Sequence, residues 1–278
     1  STCRRCFTPL TLHGDKFDLI CHICGHSEKV PTSCPLCKNS SVIHKGIGTK
    51  IIESELTKIF PKANIARFDG DTTSDNTLDA RYKEIYEGSI DIIIGTQVVA
   101  KGLDLPKLRM VGVIQADSGL NLPDFSAPER TFQLLAQVVG RVGRNSNKTS
   151  IVVQSYRPTN FAITNGLLGN YKEFYDLELM ARQRAHFPPF IFLLRLVCTY
   201  KTESSAVRSA RNLANHLQKS LPKSVEILGP TPSFYERQGS NYRWQLVIKS
   251  KKRSDLLTTL KYLPSDHWQF DLDPTSLL

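Results

Sequence analysis

The sequence predicts an α/β protein that continues into a small α+β domain, and three observations carry that expectation. Ile90-Asp91-Ile92-Ile93-Ile94 and Val111-Gly112-Val113-Ile114 are short apolar runs of the kind that form strands covered on both faces. Helix-like segments alternate with them at the spacing of right-handed crossovers, which argues a parallel sheet. Beyond Tyr156 the rhythm changes, and longer strands with two helices replace the alternation.

The elements follow in order. Ile51 to Phe60 is an amphipathic helix that begins near Thr49 and is stopped by Pro61. Asn64 to Phe68 reads as a strand, and Leu78 to Tyr86 as a helix closed by Gly88. After the two apolar runs, Leu134 to Val142 reads as a helix and Ser150 to Gln154 as a strand. Tyr171 to Arg184 is a polar helix leading to Phe187-Pro188-Pro189-Phe190, a stiff extended joint. Then come a strand (Ile191 to Thr199), a helix (Ser204 to Leu221) and a strand near Val225 to Leu228. Tyr242 to Ile248, Asp255 to Leu263 and Trp268 to Leu272 complete the order as strand, helix and strand. Two helices on a mixed sheet are expected there, with no internal repeat anywhere in the chain.

A chain of 278 residues with 40% apolar content can bury two cores, which excludes a disordered tail. No apolar run approaches bilayer thickness and no secretion signal opens the chain, so a cytoplasmic protein without a membrane partner is expected. Residue 1 is not Met, and the natural start is expected upstream. The net charge of +10, from 36 Lys and Arg against 26 Asp and Glu, suits a polyanionic partner.

Residues 1 to 41 have almost no periodic apolar pattern but hold six of the seven cysteines. Cys3-x-x-Cys6, Cys21-x-x-Cys24 and Cys34-x-x-Cys37 each let one tight turn present two thiolates to one ion. The first two pairs fit a Cys₄ zinc ribbon with no open position for catalysis. Cys34 and Cys37 need two more ligands, either histidines such as His22, His26 or His44, or a fourth pair before residue 1; the missing pair is favoured. Cys198, alone in an apolar strand, reads as a buried thiol.

Two further stretches carry chemistry. Gly95-Thr96-Gln97-Val98-Val99-Ala100-Lys101-Gly102-Leu103-Asp104 follows directly on an apolar strand. About one crossover later comes Gln137-Val138-Val139-Gly140-Arg141-Val142-Gly143-Arg144. On a helix Gln137, Arg141 and Arg144 share one face, and two guanidiniums on one face suit the charge that develops on a transferring phosphoryl group. A solvated helix face would show the same spacing. Gly140 and Gly143 argue against it, since glycine inside a helix implies close backbone approach.

These two stretches resemble motifs V and VI of superfamily 2 helicases. Arg67-Phe68-Asp69-Gly70-Asp71-Thr72-Thr73, Gln115-Ala116-Asp117-Ser118-Gly119-Leu120 and Asp124-Phe125-Ser126-Ala127-Pro128-Glu129-Arg130 resemble one family within it, the bacterial primosomal protein N′ (PriA) family of replication-restart helicases. The cysteine knuckles ahead of Gly46-Ile47-Gly48-Thr49 and the closing Trp268 to Pro274 agree, so the likeness runs from residue 1 to 278. It implies a RecA-like second helicase lobe at 42–170 carrying a zinc-knuckle insertion at 1–41, then an α+β DNA- and partner-binding domain at 171–278. It implies that Arg141 and Arg144 are arginine fingers toward ATP held with Mg²⁺ on another lobe, and that Gln137 senses the nucleotide. Thr96, Gln97 and Lys101 would couple that state to the DNA backbone, with Gly95 and Gly102 allowing the turns and Asp104 ending the motif. Family members carry two interleaved zincs on four pairs, so Cys3, Cys6, Cys21 and Cys24 are expected to hold one complete site.

The implied activity is an ATP-dependent 3′-to-5′ DNA helicase that recognises stalled forks and helps load the replicative helicase. Forked and single-stranded DNA, single-stranded-DNA-binding protein, other primosome proteins and the first helicase lobe are the implied partners. The chain contains no Gly-x-x-x-x-Gly-Lys-Ser/Thr loop and no Asp-Glu-x-His motif, so alone it is expected not to hydrolyse ATP. Arg237 and Arg243, among aromatics at a Gly-containing turn, and Lys252 and Arg253, in a basic run, are the candidate DNA or partner contacts. The competing reading is a non-enzymatic zinc-ribbon module that binds nucleic acid or proteins.

Overall fold

The computed structural model describes residues 2–5, 7–13, 18–33, 48–68, 77–96, 105, 107–141 and 150–278. Two compact units emerge, and they do not follow chain order. One comprises Ser1–Lys38, Ser118–Glu129 and Tyr175–Leu278; the other comprises Asn39–Asp117 and Arg130–Phe174. The first 38 residues therefore belong with the C-terminal domain rather than standing apart.

In the first unit, β1 (Thr11–His13), β2 (Asp18–Ile20) and β3 (Ser27–Lys29) form an antiparallel ribbon in that order. Asp18 stands opposite Lys29 in the register, and their side chains pair at 2.7 Å. The C-terminal sheet has four strands. β8 (Phe192–Tyr200) is flanked by β10 (Asn241–Ser250) and β11 (Trp268–Leu272), and β9 (Glu226–Gln238) pairs outside β10. Every pairing is antiparallel, which corrects the expected mixed sheet.

Burial on both faces explains why β8 is mostly apolar, with Arg195 its one charged residue. Leu194, Leu196 and Cys198 face α6 (Glu203–Ser220) and α7 (Arg253–Leu260), against Ala206, Ala210, Leu213, Leu217 and Leu256. Those helical positions recur every three or four residues, as an apolar stripe must. Leu193 and Val247 point the other way and pack with Leu10, Leu19, Cys21 and Ile23 of the ribbon. A half-exposed sheet would have needed polar residues at alternate positions of β8.

β9 runs far past the expected Leu228, through Pro230 and Pro232, because an edge strand can lose amide donors that a central one cannot. Register shifts interrupt its pairing with β10 between Tyr242 and Trp244 and between Gln245 and Val247.

The second unit holds α1 (Thr49–Ile59), β4 (Ile65–Phe68), α2 (Tyr82–Glu87), β5 (Ile92–Gly95), β6 (Met110–Val113), β7 (Ser150–Val153) and α4 (Phe161–Leu168). β4 pairs parallel with β5, and β6 parallel with β7, as alternating strands and helices predict. The Glu53 carboxylate on α1 accepts from Arg67 Nε on β4 at 2.9 Å. α3 (Ala127–Arg141) begins seven residues before the expected Leu134. Pro128 and the charged pair Glu129-Arg130 hide that start in sequence, yet proline is well placed in a first turn. The sequence reading also missed α4, capped by the Asn160 side chain at Ala162 N, 3.0 Å, and closed by Gly169 at φ 66°. α5 (Tyr171–Arg184) matches its expected bounds.

Candidate functional site

The ribbon is built from two turns with the same hydrogen bonds. Cys3 N donates to Thr8 O at 2.8 Å and Phe7 N to Cys3 O at 3.0 Å. Eighteen residues later, Cys21 N donates to His26 O at 2.8 Å and Gly25 N to Cys21 O at 3.0 Å. The residue after each pair is left-handed, Phe7 at φ 61° and Gly25 at φ 75°. This local repeat escaped sequence reading because only the cysteines recur; Phe7 and Gly25 share a conformation and no chemistry. Gly25 also sits close to the C-terminal sheet, where an added Cβ would lie 3.3 Å from Pro230 O.

The thiol sulfurs of Cys3, Cys21 and Cys24 lie within 4.8 Å of one another, a cluster able to hold a metal ion. Cys3 Sγ and Cys24 Sγ are 3.5 Å apart, and Cys3 and Cys21 are buried. The Arg5 backbone N–H donates to Cys3 Sγ at 3.4 Å, and Thr8 Oγ1 lies 3.5 Å from Cys21 Sγ. Such donors stabilise thiolate ligands. Cys6, Cys34 and Cys37 lie outside the described residues. His22 is turned elsewhere: its Nδ1 donates to Pro232 O at 2.9 Å and its ring meets Phe234 edge-on.

Buried polar groups on the sheet hold the ribbon in place. Gln245 Nε2 donates to His22 O at 2.6 Å, and Thr231 Oγ1 donates to Cys21 O at 3.2 Å. Both accepting carbonyls belong to the second knuckle, so the sheet grips the Cys21–Cys24 turn directly.

Of the residues expected to act in the motor, Gly95 ends β5 and Thr96 follows it, both exposed. Gln97, Lys101, Gly102, Asp104 and Arg144 lie outside the described residues. Gln137 is exposed on α3, and Arg141 ends that helix four residues later, which puts the two on one face. Gly140 corrects the sequence argument: nothing among the described residues comes within 4 Å of where its Cβ would stand. Close approach on α3 is instead made by Gly166 of α4, where a Cβ would meet Leu135 Cβ at 3.0 Å and Phe132 O at 3.2 Å.

Two carboxylates inside the motifs prove to be structural. Asp117 accepts from Ser155 Oγ at 2.7 Å and Tyr156 N at 2.9 Å. Asp124 is buried and accepts from Ser276 Oγ at 2.6 Å, Ser126 Oγ at 3.0 Å, Ser126 N at 3.2 Å and Leu277 N at 3.4 Å. Nearby, Arg182 pairs with both Glu129 and Glu178 at 2.7 Å and lies 5.3 Å over the Phe125 ring. Burial raises the Glu178 carboxyl above its ordinary range, against the lowering effect of Arg182.

The four basic candidates of the C-terminal domain occupy two places. Arg237 and Arg243 flank the β9–β10 turn, Arg237 exposed, stacked 4.7 Å over the Tyr242 ring and donating to its hydroxyl at 2.9 Å. Lys252 and Arg253 stand at the start of α7, past the other end of β10, roughly 25 Å away at strand rise. Arg253 pairs with Asp273 at 3.0 Å, and Lys252 is exposed.

Two family models match the chain: the helicase conserved C-terminal domain over residues 15–146 and the primosomal protein N C-terminal domain over residues 183–275. Among similar proteins, the replication restart protein PriA of Bacillus subtilis is 36% identical over 272 residues, covering 98% of this chain and 34% of that protein. Its namesake in Treponema pallidum is 36% identical over 248 residues, covering 89% and 38%. That of Borreliella burgdorferi is 32% identical over 282 residues, covering 97% and 43%. The chain thus spans about a third to two fifths of the length of these relatives. Among the described residues, no helix is long and apolar enough to cross a membrane.

Proposed function

Since this chain belongs to the PriA family and carries its C-terminal region, we propose that it supplies the second lobe of an ATP-driven 3′-to-5′ replication-restart DNA helicase. The observation that carries this is the position of Gln137, which is exposed, and of Arg141 four residues on, at one face of α3 within the segment matched by the helicase domain model. Binding energy placed where charge develops on a transferring phosphoryl group lowers its barrier, and Arg141 and Arg144 are the residues for that task. ATP and Mg²⁺ belong to another lobe in this reading, because the 278 residues hold no phosphate loop. Thr96, Gln97, Lys101 and Asp104, with Gly95 and Gly102 as turns, link that event to the DNA backbone.

The metal is zinc, held structurally by Cys3, Cys21 and Cys24 with Cys6 as fourth ligand. Cys6 stands eighteen residues before Cys24, the offset that relates the two turns, and four thiolates suit tetrahedral zinc. Cys34 and Cys37 serve a second ion that needs two further ligands. The domain limits 1–41, 42–170 and 171–278 mark the ribbon, the lobe and the DNA- and partner-binding domain. Forked and single-stranded DNA, single-stranded-DNA-binding protein and other primosome proteins are the partners. Arg237 and Arg243 contact DNA, and Lys252 and Arg253 take the acidic tail of single-stranded-DNA-binding protein.

DNA-stimulated ATP hydrolysis tests the reading, with this chain alone and mixed with a separately expressed first half of a PriA. Silence alone and activity on mixing, lost with Arg144→Ala, is the expected result. Silence in both would move the zinc-ribbon binding module to first place.

A further inference from the structure

Two clefts of the C-terminal domain differ in chemistry. One, about 310 Å³, lies between ribbon and sheet and is lined by Glu203 and Glu236 against Arg211. Its balance of charge selects no anion. The other, about 500 Å³, runs along the solvent side of α6 toward Tyr262 and Pro264, and no carboxylate lines it.

The lining of this second cleft repeats every turn of α6. Arg208, Asn212 and His216 are exposed and spaced by four residues, so they form one row, with Ser205 and Ser209 beside it. Aromatic rings border the row. His216 meets Tyr262 edge-on with centroids 5.3 Å apart, and Tyr200 stacks on His267 at 4.4 Å. Ser209 forms the floor, its oxygen accepting from Tyr200 OH at 3.0 Å and from Trp268 Nε1 at 3.2 Å. With both lone pairs engaged, its own proton is left to donate.

We propose that this cleft is a subsite for single-stranded nucleic acid, taking an unpaired base against His216 and Tyr262 with the adjoining phosphate on Arg208. The chemistry separates this from an acidic peptide. One permanent cation is too few for a run of carboxylates, and ring faces repel carboxylates while they stack with any base. Asn212 and Ser209 add the donors that a base edge accepts. The proposal rests on the DNA-acting reading above and extends it to a surface outside both basic candidates.

Fluorescence anisotropy of a labelled oligothymidylate of about 15 nucleotides, a length within reach of one small domain, tests it on the intact chain. Arg208 and His216 are exposed, so Arg208→Glu and His216→Ala leave the core of α6 untouched. Arg208→Glu is expected to weaken binding about tenfold or more and to reduce the salt slope by roughly one. His216→Ala should weaken binding about fivefold with the salt slope unchanged. Lys223→Glu, the same charge change at an exposed lysine outside the cleft, should alter affinity less than about twofold. Equal losses from Lys223→Glu and Arg208→Glu would mean general electrostatics and overturn the subsite. Unchanged affinity in the cleft variants would also overturn it, while ATP hydrolysis on mixing with the first half would keep the motor reading standing. A glutamate-rich peptide that competes in an Arg208-dependent way, where oligothymidylate does not, would likewise reassign the cleft.

Discussion

Gln245 Nε2 donates to the carbonyl of His22 at 2.6 Å across 223 residues of chain, while its Oε1 accepts from Arg195 Nε at 3.0 Å. One fully buried amide therefore closes two gaps at once, between ribbon and sheet and between two strands. Arg195 completes its own pairing by donating to Leu278 O at 2.6 Å, and burial lowers its basicity.

Removing that amide should be costly. Gln245→Leu keeps the volume but orphans the His22 carbonyl and a guanidinium N–H, a loss of about 3 kcal/mol. Urea denaturation should show the drop, and limited proteolysis should cut residues 1–38 faster than in the parent. Equal proteolysis rates would mean that the apolar contacts alone hold the ribbon.

Metal removal should act on the same region. Cys21→Ser withdraws one buried ligand and should abolish one equivalent of zinc, read by a chromogenic chelator on the unfolded protein. His22→Ala should retain that zinc, because the imidazole is committed to Pro232 O. Loss of zinc in His22→Ala would place the histidine in the coordination shell.

The two glycines of the α3 region should respond in opposite directions. Gly166→Ala pushes a methyl against Leu135 and the Phe132 carbonyl, and should destabilise by about 2 kcal/mol. Gly140→Ala meets nothing among the described residues and should stabilise α3 by roughly 1 kcal/mol. If α3 closes on another lobe during turnover, Gly140→Ala will also reduce ATP hydrolysis on mixing. A stabilised and fully active variant would show that the glycine serves no approach there.

Cys198 offers a test by pH. Burial pushes its thiol up to about 11, so the folded protein keeps the proton after the unfolded chain has released it. Stability from this site is complete below the ordinary thiol value and falls as pH rises from about 9 toward 11. Cys198→Ala should flatten that fall. At pH 8, alkylation of Cys198 should require unfolding.

Composition and local pattern were enough for the parallel strand pairs, the C-terminal helices and the paired cysteines, because each is written in neighbours a few residues apart. Ala206, Ala210, Leu213 and Leu217 announce a helix face by spacing alone, and Cys21-x-x-Cys24 announces a turn. The helix Phe161–Leu168 was less legible, since Gly166 argues against a helix until Leu135 is seen pressed against it. Gln137 and Arg141 could be placed on one face from sequence, but the emptiness around Gly140 could not.

The sequence by itself determined most of the element order from Thr49 onward, apart from the helix Phe161–Leu168, together with the family likeness and the thiol pairs, all from short-range periodicity, motif and spacing. Only the tertiary structure decided that the ribbon seals the second face of the C-terminal sheet. The reason is physical: β8 carries apolar residues on both sides, Leu194, Leu196 and Cys198 on one and Leu193 and Val197 on the other, and such a run states that both faces need cover without saying what covers them. His22 and Gln245 carry no mutual signal in sequence, and their hydrogen bond forms only because the fold brings two buried polar groups 223 residues apart within reach of each other.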